Sequence, residues 1–288
     1  MNKINTKYGV LIPQYETAGE RRKMTNPISY FKSGNLKSIS LQDQTEIATS
    51  IGTMPAEYIT FHENGNIKRI FPLNGRLSAY WTEDDEFELS EPIEFDLSIG
   101  KFKQHVISVR FYEDGAVYSI TFWPNNAILI DSPAGKMITR IGVSFYENGK
   151  LKSLEPNKAI TVKTAIGDIS AYDTNALGLH ADSNSLNFTK EGNVKSLITS
   201  YDKIEVTIPN GERKIYKPDL VVSIIDDMSK EIIPLKIEFV DDKIRFNDSS
   251  EDEYVISECS FEITNMSSSL NSACSACSSC ASCSGGCS

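Results

Sequence analysis

Histidine is scarce in this chain: the three in 288 residues, His62, His105 and His180, stand far apart. No nucleophile elbow, phosphate loop or dinucleotide glycine pattern accompanies them, so nucleophilic, phosphoryl-transfer and hydride-transfer chemistry have no foothold and the chain is not expected to be an enzyme. No apolar run is long enough to span a membrane. Residues 1–26 scatter Lys and Arg and lack the apolar stretch of a secretory signal, which predicts a cytoplasmic protein. Basic residues are outnumbered, 29 against 39 acids for a net charge of −10. Most of that excess lies in residues 201–258, where fifteen Asp and Glu meet eight Lys and Arg. Nucleic acid and anionic membranes need a basic face, so neither is an expected partner. Cysteine is absent until Cys259.

What the sequence does have is one phrase, Phe145-Tyr146-Glu147-Asn148-Gly149-Lys150-Leu151-Lys152-Ser153-Leu154, that recurs with variations at 30–39, 61–70, 111–120 and 188–197. Asn-Gly or Asp-Gly between alternating apolar residues is a hairpin signal. Asn64-Gly65, Asp114-Gly115 and Asn148-Gly149 carry it in full, while Ser33-Gly34 and Glu191-Gly192 keep the Gly. A two-residue turn of type I′ is the expectation at each. Counting outward from such turns, the fourth pairs are Ile28/Ile39, Ile59/Ile70, Val109/Ile120, Val143/Leu154 and Leu186/Leu197, aliphatic in all five copies. The second pairs set Tyr30, Phe61, Phe111, Phe145 and Phe188 opposite Lys37, Lys68, Tyr118, Lys152 and Lys195. Both sets fall on one face, which is predicted to be buried, with the Lys stems lying over the rings. On this count Val143 points into the core and Ser144 to the other face, so a charge at Val143 should do far more damage.

The phrase resembles the MORN-type repeat in the variant form of the bacterial YwqK antitoxin-like group, through Tyr146-Glu147-Asn148-Gly149-Lys150-Leu151-Lys152-Ser153 and, next, Phe61-His62-Glu63-Asn64-Gly65-Asn66-Ile67-Lys68. The resemblance covers residues 27–200. It implies strung antiparallel hairpins in an elongated sheet, and binding rather than catalysis, without identifying what is bound; a protein partner is the expectation.

Two further signals recur between copies. Short lead-ins to Gly occur at Ser50-Ile51-Gly52, Ser98-Ile99-Gly100, Pro133-Ala134-Gly135 and Ala165-Ile166-Gly167, and Pro with Asn breaks the ladder at 72–75, 124–126 and 156–157. A full unit therefore reads strand, Gly turn, strand, Pro-Asn corner, strand, Gly turn, strand. The fold class is all-β, a meander of tandem hairpin repeats with almost no helix. Residues 1–26 form a lead-in, 27–200 the repeats, 201–264 an acidic β region, and 265–288 a Ser/Cys-rich tail expected to be disordered. The acidic stretch 82–88 and the Asp- and Asn-bearing stretch 172–184 read as solvated loops, since neither fits the twelve-residue calcium loop.

The tail carries Cys274, Cys277, Cys280, Cys283 and Cys287. The last four have the C-x2-C-x2-C-x3-C spacing of an iron–sulfur cluster loop, and thiolates also suit Zn²⁺. These five are the candidate metal ligands. Two alternatives stand beside that reading: a tail modified by a partner enzyme, with the β body acting as leader, and a plain thiol tail.

Overall fold

A computed structural model describes residues 3–23, 26–178, 180–222 and 230–266. The chain forms two compact units, residues 1–157 with 177–184, and residues 158–176 with 185–288.

In the first unit eight strands pair in chain order: Ile28–Tyr30, Leu36–Thr49, Gly52–Phe61, Ile67–Phe71, Val106–Phe111, Val117–Phe122, Gly135–Phe145 and Leu151–Pro156. Every neighbour is antiparallel, so the sheet is a meander. Four of the five aliphatic pairs lie here, Ile28↔Ile39, Ile59↔Ile70, Val109↔Ile120 and Val143↔Leu154. All but Ile28 are fully buried.

The turns differ from the two-residue expectation. The Gly65 N–H donates to the His62 carbonyl at 3.0 Å and the His62 N–H to the Asn66 carbonyl at 2.8 Å, which puts Glu63 and Asn64 at the centre of a β-turn and leaves Gly65 (φ 81°) as the residue at positive φ. Asn64 accepts from the Asn66 N–H at 2.8 Å through its side chain instead of adopting positive φ. This is a β-turn followed by a glycine bulge. The same two backbone bonds recur at Phe31, Tyr112, Tyr146, Thr189 and Ile208.

A second bulge follows in each repeat hairpin and moves the predicted second pair by one. Tyr30 faces Leu36, Phe61 faces Ile67, Phe111 faces Val117, Phe145 faces Leu151 and Phe188 faces Val194. The inner pair is thus aromatic against aliphatic, and the Lys thought to cover the ring is turned away from the core. Two compensating irregularities explain why the fourth pairs still fall where a two-residue turn would put them.

The Gly lead-ins close shorter side hairpins, with Thr49↔Gly52, Leu97↔Gly100 and Ser132↔Gly135 as closing pairs. They bury Ile47, Met54, Phe95, Ile130 and Met137. Ser50 and Ser98 at their tips donate to the carbonyls of Gly115 and Gly149 in the main turns, each at 2.6 Å, tying the two rows together. The core of this unit sits between the sheet's aliphatic face and these hairpins.

The stretch 82–88 departs from the solvated-loop reading. Glu83–Phe87 is a single helical turn, capped by Thr82 and Asp85 in a reciprocal capping box. Glu86 is buried, and its carboxylate accepts from Arg21 Nε and Nη2, Trp81 Nε1 and the Gly75 N–H at 2.7–2.9 Å. Arg21 also forks onto Glu57 at 3.0 and 2.6 Å.

Within the stretch 172–184, Ala181, Asp182 and Asn184 lie against the sheet's second face instead of standing in solvent. The Ala181 N–H donates to Thr121 Oγ1 at 3.1 Å, and Asn184 Nδ2 to Ser153 Oγ at 2.8 Å. Beneath Ala181 lies Gly142 (φ 151°), where an added Cβ would lie 2.0 Å from the Ile120 carbonyl oxygen and 2.5 Å from the Ala181 Cβ. Gly142→Ala is expected to cost about 3 kcal/mol or more, since both the dihedral and the space forbid it. Chemical denaturation checks it against Gly149→Ala, where the φ is positive but nothing lies within 4 Å.

In the second unit the strands Glu253–Val255, Lys243–Phe246, Leu235–Val240, Val194–Thr199 and Leu186–Phe188 pair in that order, and Arg213–Tyr216, Asp202–Thr207 and Ser260–Asn265 form a smaller sheet. The fifth aliphatic pair, Leu186↔Leu197, is here. Tyr216 stacks on Phe246 at 4.0 Å and donates to Asp252 at 2.7 Å. Among the described residues no helix is long and apolar enough to cross a membrane.

Candidate binding face

The register of the first unit lines up one row of side chains across the second face of the sheet: Ser29, Ser38, Thr60, Arg69, Arg110, Ser119, Ser144 and Ser153. Small hydroxyls bond along it, Ser29 to Ser38 at 2.6 Å and Ser144 to Ser153 at 2.5 Å. The bulge interrupts the alternation just before this row, so the phrase residues Lys37, Lys68, Tyr118 and Lys152 share its face. The repeat's Lys-Ser pair therefore belongs to the second face, away from the aliphatic core.

Ala181, Asp182 and Asn184 cover the half of the row at Ser119, Ser144 and Ser153, all of which are buried. The other half is an open groove of about 620 Å³, lined by Phe31, Lys37, Tyr58, Lys68, Arg69, Phe71, Arg110 and Asp182 among others. Cations and rings interleave along it. Lys37 Nζ lies 5.9 Å from the Phe31 ring centre, the Arg69 guanidinium 6.0 Å from Phe71, and the Arg110 guanidinium 4.2 Å from Tyr118.

Asp182 closes one end. It accepts from Arg69, from Arg110 Nη1 at 2.7 Å and from Ser119 Oγ at 2.6 Å. Burial pushes its pKa up, but the Ser119 hydroxyl and the two guanidinium groups outweigh it and hold the carboxyl below its ordinary 3.8. Glu86 behaves alike: burial raises it, while Arg21, Trp81 and the Gly75 N–H bring it below 4.5. Both folded values lie under the unfolded ones, so their stabilisation is complete above those ordinary values and is lost as pH falls through the depressed folded ones. Stability to urea is expected to hold between pH 7 and about 5 and to fall below about pH 4.5, with a shallower acid slope in Asp182→Asn.

The sequence-predicted ligands Cys274, Cys277, Cys280, Cys283 and Cys287 lie outside the described residues. Cys259 is a free thiol whose pKa burial pushes up, with the Glu258 charge adding to the effect. Among the described residues no group of three or more His, Cys, Asp and Glu is placed to hold a metal ion. The histidines are not gathered into one site. His62 Nε2 donates to the Phe111 carbonyl at 3.0 Å, as Tyr112, its repeat equivalent, donates to the Phe145 carbonyl at 2.9 Å; both link one hairpin to the next. His105 Nδ1 lies 3.2 Å from Ser90 Oγ, and His180 is exposed. The groove itself escaped the sequence reading, because recognising it requires the bulge that turns Lys37 and Lys68 outward. The signal was the Lys-Ser pair recurring beside the aliphatic position in three of the five copies, at Lys37-Ser38, Lys152-Ser153 and Lys195-Ser196.

The family model of the MORN repeat variant matches residues 141–156, the end of one strand, the Asn148-Gly149 turn and the strand Leu151–Pro156. No curated protein and no solved structure matches the chain. The fourth hairpin is thus a MORN-type repeat, set in a sheet of like hairpins.

Proposed function

We propose that this protein is a non-enzymatic, cytoplasmic β-repeat scaffold that holds a protein partner against the open groove of its first unit. One observation carries the reading: a chain of net charge −10 gathers Lys37, Lys68, Arg69 and Arg110 with only Asp182 as counter-charge among the groove's lining residues. Surface cations interleaved with rings offer charge-assisted hydrogen bonds and broad apolar contact, the mixture that recognition surfaces use. Within MORN-type repeats, Tyr146 to Ser153 resembles the YwqK antitoxin-like form, and that likeness supports the binding reading. The five tail cysteines add a separate soft-metal or iron–sulfur site, proposed on ligand spacing alone.

The test is capture of host proteins on immobilised full-length chain. A partner retained by the native chain is expected to fall about tenfold or more with Lys37→Glu/Lys68→Glu, because two exposed charges are reversed without touching the core. Removal of residues 265–288 should leave that retention intact while removing zinc uptake. Undiminished retention by the charge-reversed variant would mean the partner binds elsewhere.

A further inference from the structure

The spacing of the groove's cations carries information beyond their sign. Lys37, Lys68 and Lys152 occupy the same repeat position, each immediately before Ser38, Arg69 or Ser153 of the one row, and Tyr118 holds that position in the third hairpin. Successive copies are two strands apart, which sets about 10 Å between neighbouring phrase positions along the row. Where Tyr118 replaces Lys, the guanidinium of Arg110 sits over its ring at 4.2 Å and Lys152 Nζ lies 5.2 Å from it, so positive charge continues past the gap. Among the described residues Lys37 and Lys68 have no carboxylate within ion-pair distance, and Arg69 and Arg110 share the single carboxylate of Asp182.

We infer that this groove receives an extended acidic segment of another protein whose carboxylates recur at every third residue in the polyproline II conformation. The inference rests on the scaffold reading and names the partner's chemistry. A polyproline II chain has three residues per turn and rises 3.1 Å per residue, so every third side chain returns to one side after about 9 Å, close to the spacing of the row. A β-strand returns to one side after about 7 Å and would fall out of step at the second cation. Ring-lined grooves are the sites that dock polyproline II segments, and Phe31, Tyr58 and Phe71 supply the rings here. Asp182 illustrates how a carboxylate is received, with two guanidinium groups on one oxygen and a hydroxyl on the other. A long polyanion such as nucleic acid would meet the repulsion of the chain's net charge of −10, whereas a short segment meets only the groove.

Fluorescence anisotropy on the full-length chain tests this with a labelled peptide of repeated Glu-Pro-Pro, an isomer of the same composition with its Glu residues clustered, and a single-stranded oligonucleotide. The periodic peptide is expected to bind about tenfold more tightly than the clustered isomer, and about tenfold more weakly to Lys37→Gln/Lys68→Gln than to the native chain. Lys163→Gln, exposed on the hairpin of Ile160–Thr164 with Gly167–Ala171, should change nothing, and unchanged melting temperatures would exclude unfolding as the cause. Equal binding of the two isomers, indifference to the double variant, or tighter binding of the oligonucleotide would each overturn the inference. If the periodic peptide fails to bind while the host partner is still lost on Lys37→Glu/Lys68→Glu, the inference falls and the scaffold reading stands. If capture too is indifferent to that variant, the scaffold reading falls with it.

Discussion

Val143→Asp and Ser144→Asp are each expected to unfold the first unit, with losses of about 4 kcal/mol or more and of similar size. Alternation along a strand would make them opposites, one residue in the core and one in water. Yet both side chains are fully buried. Val143 pairs with Leu154 on the aliphatic face, where a carboxylate would have neither water nor partner. Ser144 Oγ is hydrogen-bonded to Ser153 Oγ at 2.5 Å, and Ser153 accepts from Asn184 at 2.8 Å. A carboxylate at 144 would crowd that network beneath the covering segment. Because total stability is only about 5–15 kcal/mol, either loss reaches the scale of the whole. Urea denaturation of both variants decides the matter; a solvent-like, nearly neutral Ser144→Asp would mean that Ala181, Asp182 and Asn184 do not cover the sheet.

Glu86→Ala should rank with them, at about 3–5 kcal/mol, whereas Glu83→Ala, three residues earlier and exposed, should stay within about 0.5 kcal/mol. Removing the Glu86 carboxylate takes the acceptor from three partners at once. Arg21 keeps Glu57 but loses its second carboxylate, and Trp81 Nε1 and the Gly75 N–H lose their bonds. The cost is therefore that of stranding polar groups in a dry place rather than that of one surface ion pair. A matched pair of urea midpoints for the two alanine variants checks it, and equal midpoints would remove Glu86 from its place as the hub of this network.

The sequence by itself determined the all-β class, the antiparallel meander and the aliphatic pairs from Ile28↔Ile39 to Leu186↔Leu197, because each depends on local signals. Glycine at a turn, proline at a corner and period-two alternation act within a few residues, and repetition in five copies removes the ambiguity of any single one. It misplaced the phrase lysines, because two bulges that cancel at the fourth pair leave no trace in a count made outward from the turn. Only the tertiary structure decided which polar residues face water. Glu86 and Asp182 read as loop carboxylates until a residue 65 positions away, Arg21, and two more at 113 and 72, Arg69 and Arg110, come to meet them. Ser144 reads as a solvent residue until Asn184, through Ser153, is laid over it. A carboxylate's burial depends on which cation reaches it through space. That partnership is set by how distant segments pack onto the assembled sheet, which no local pattern encodes.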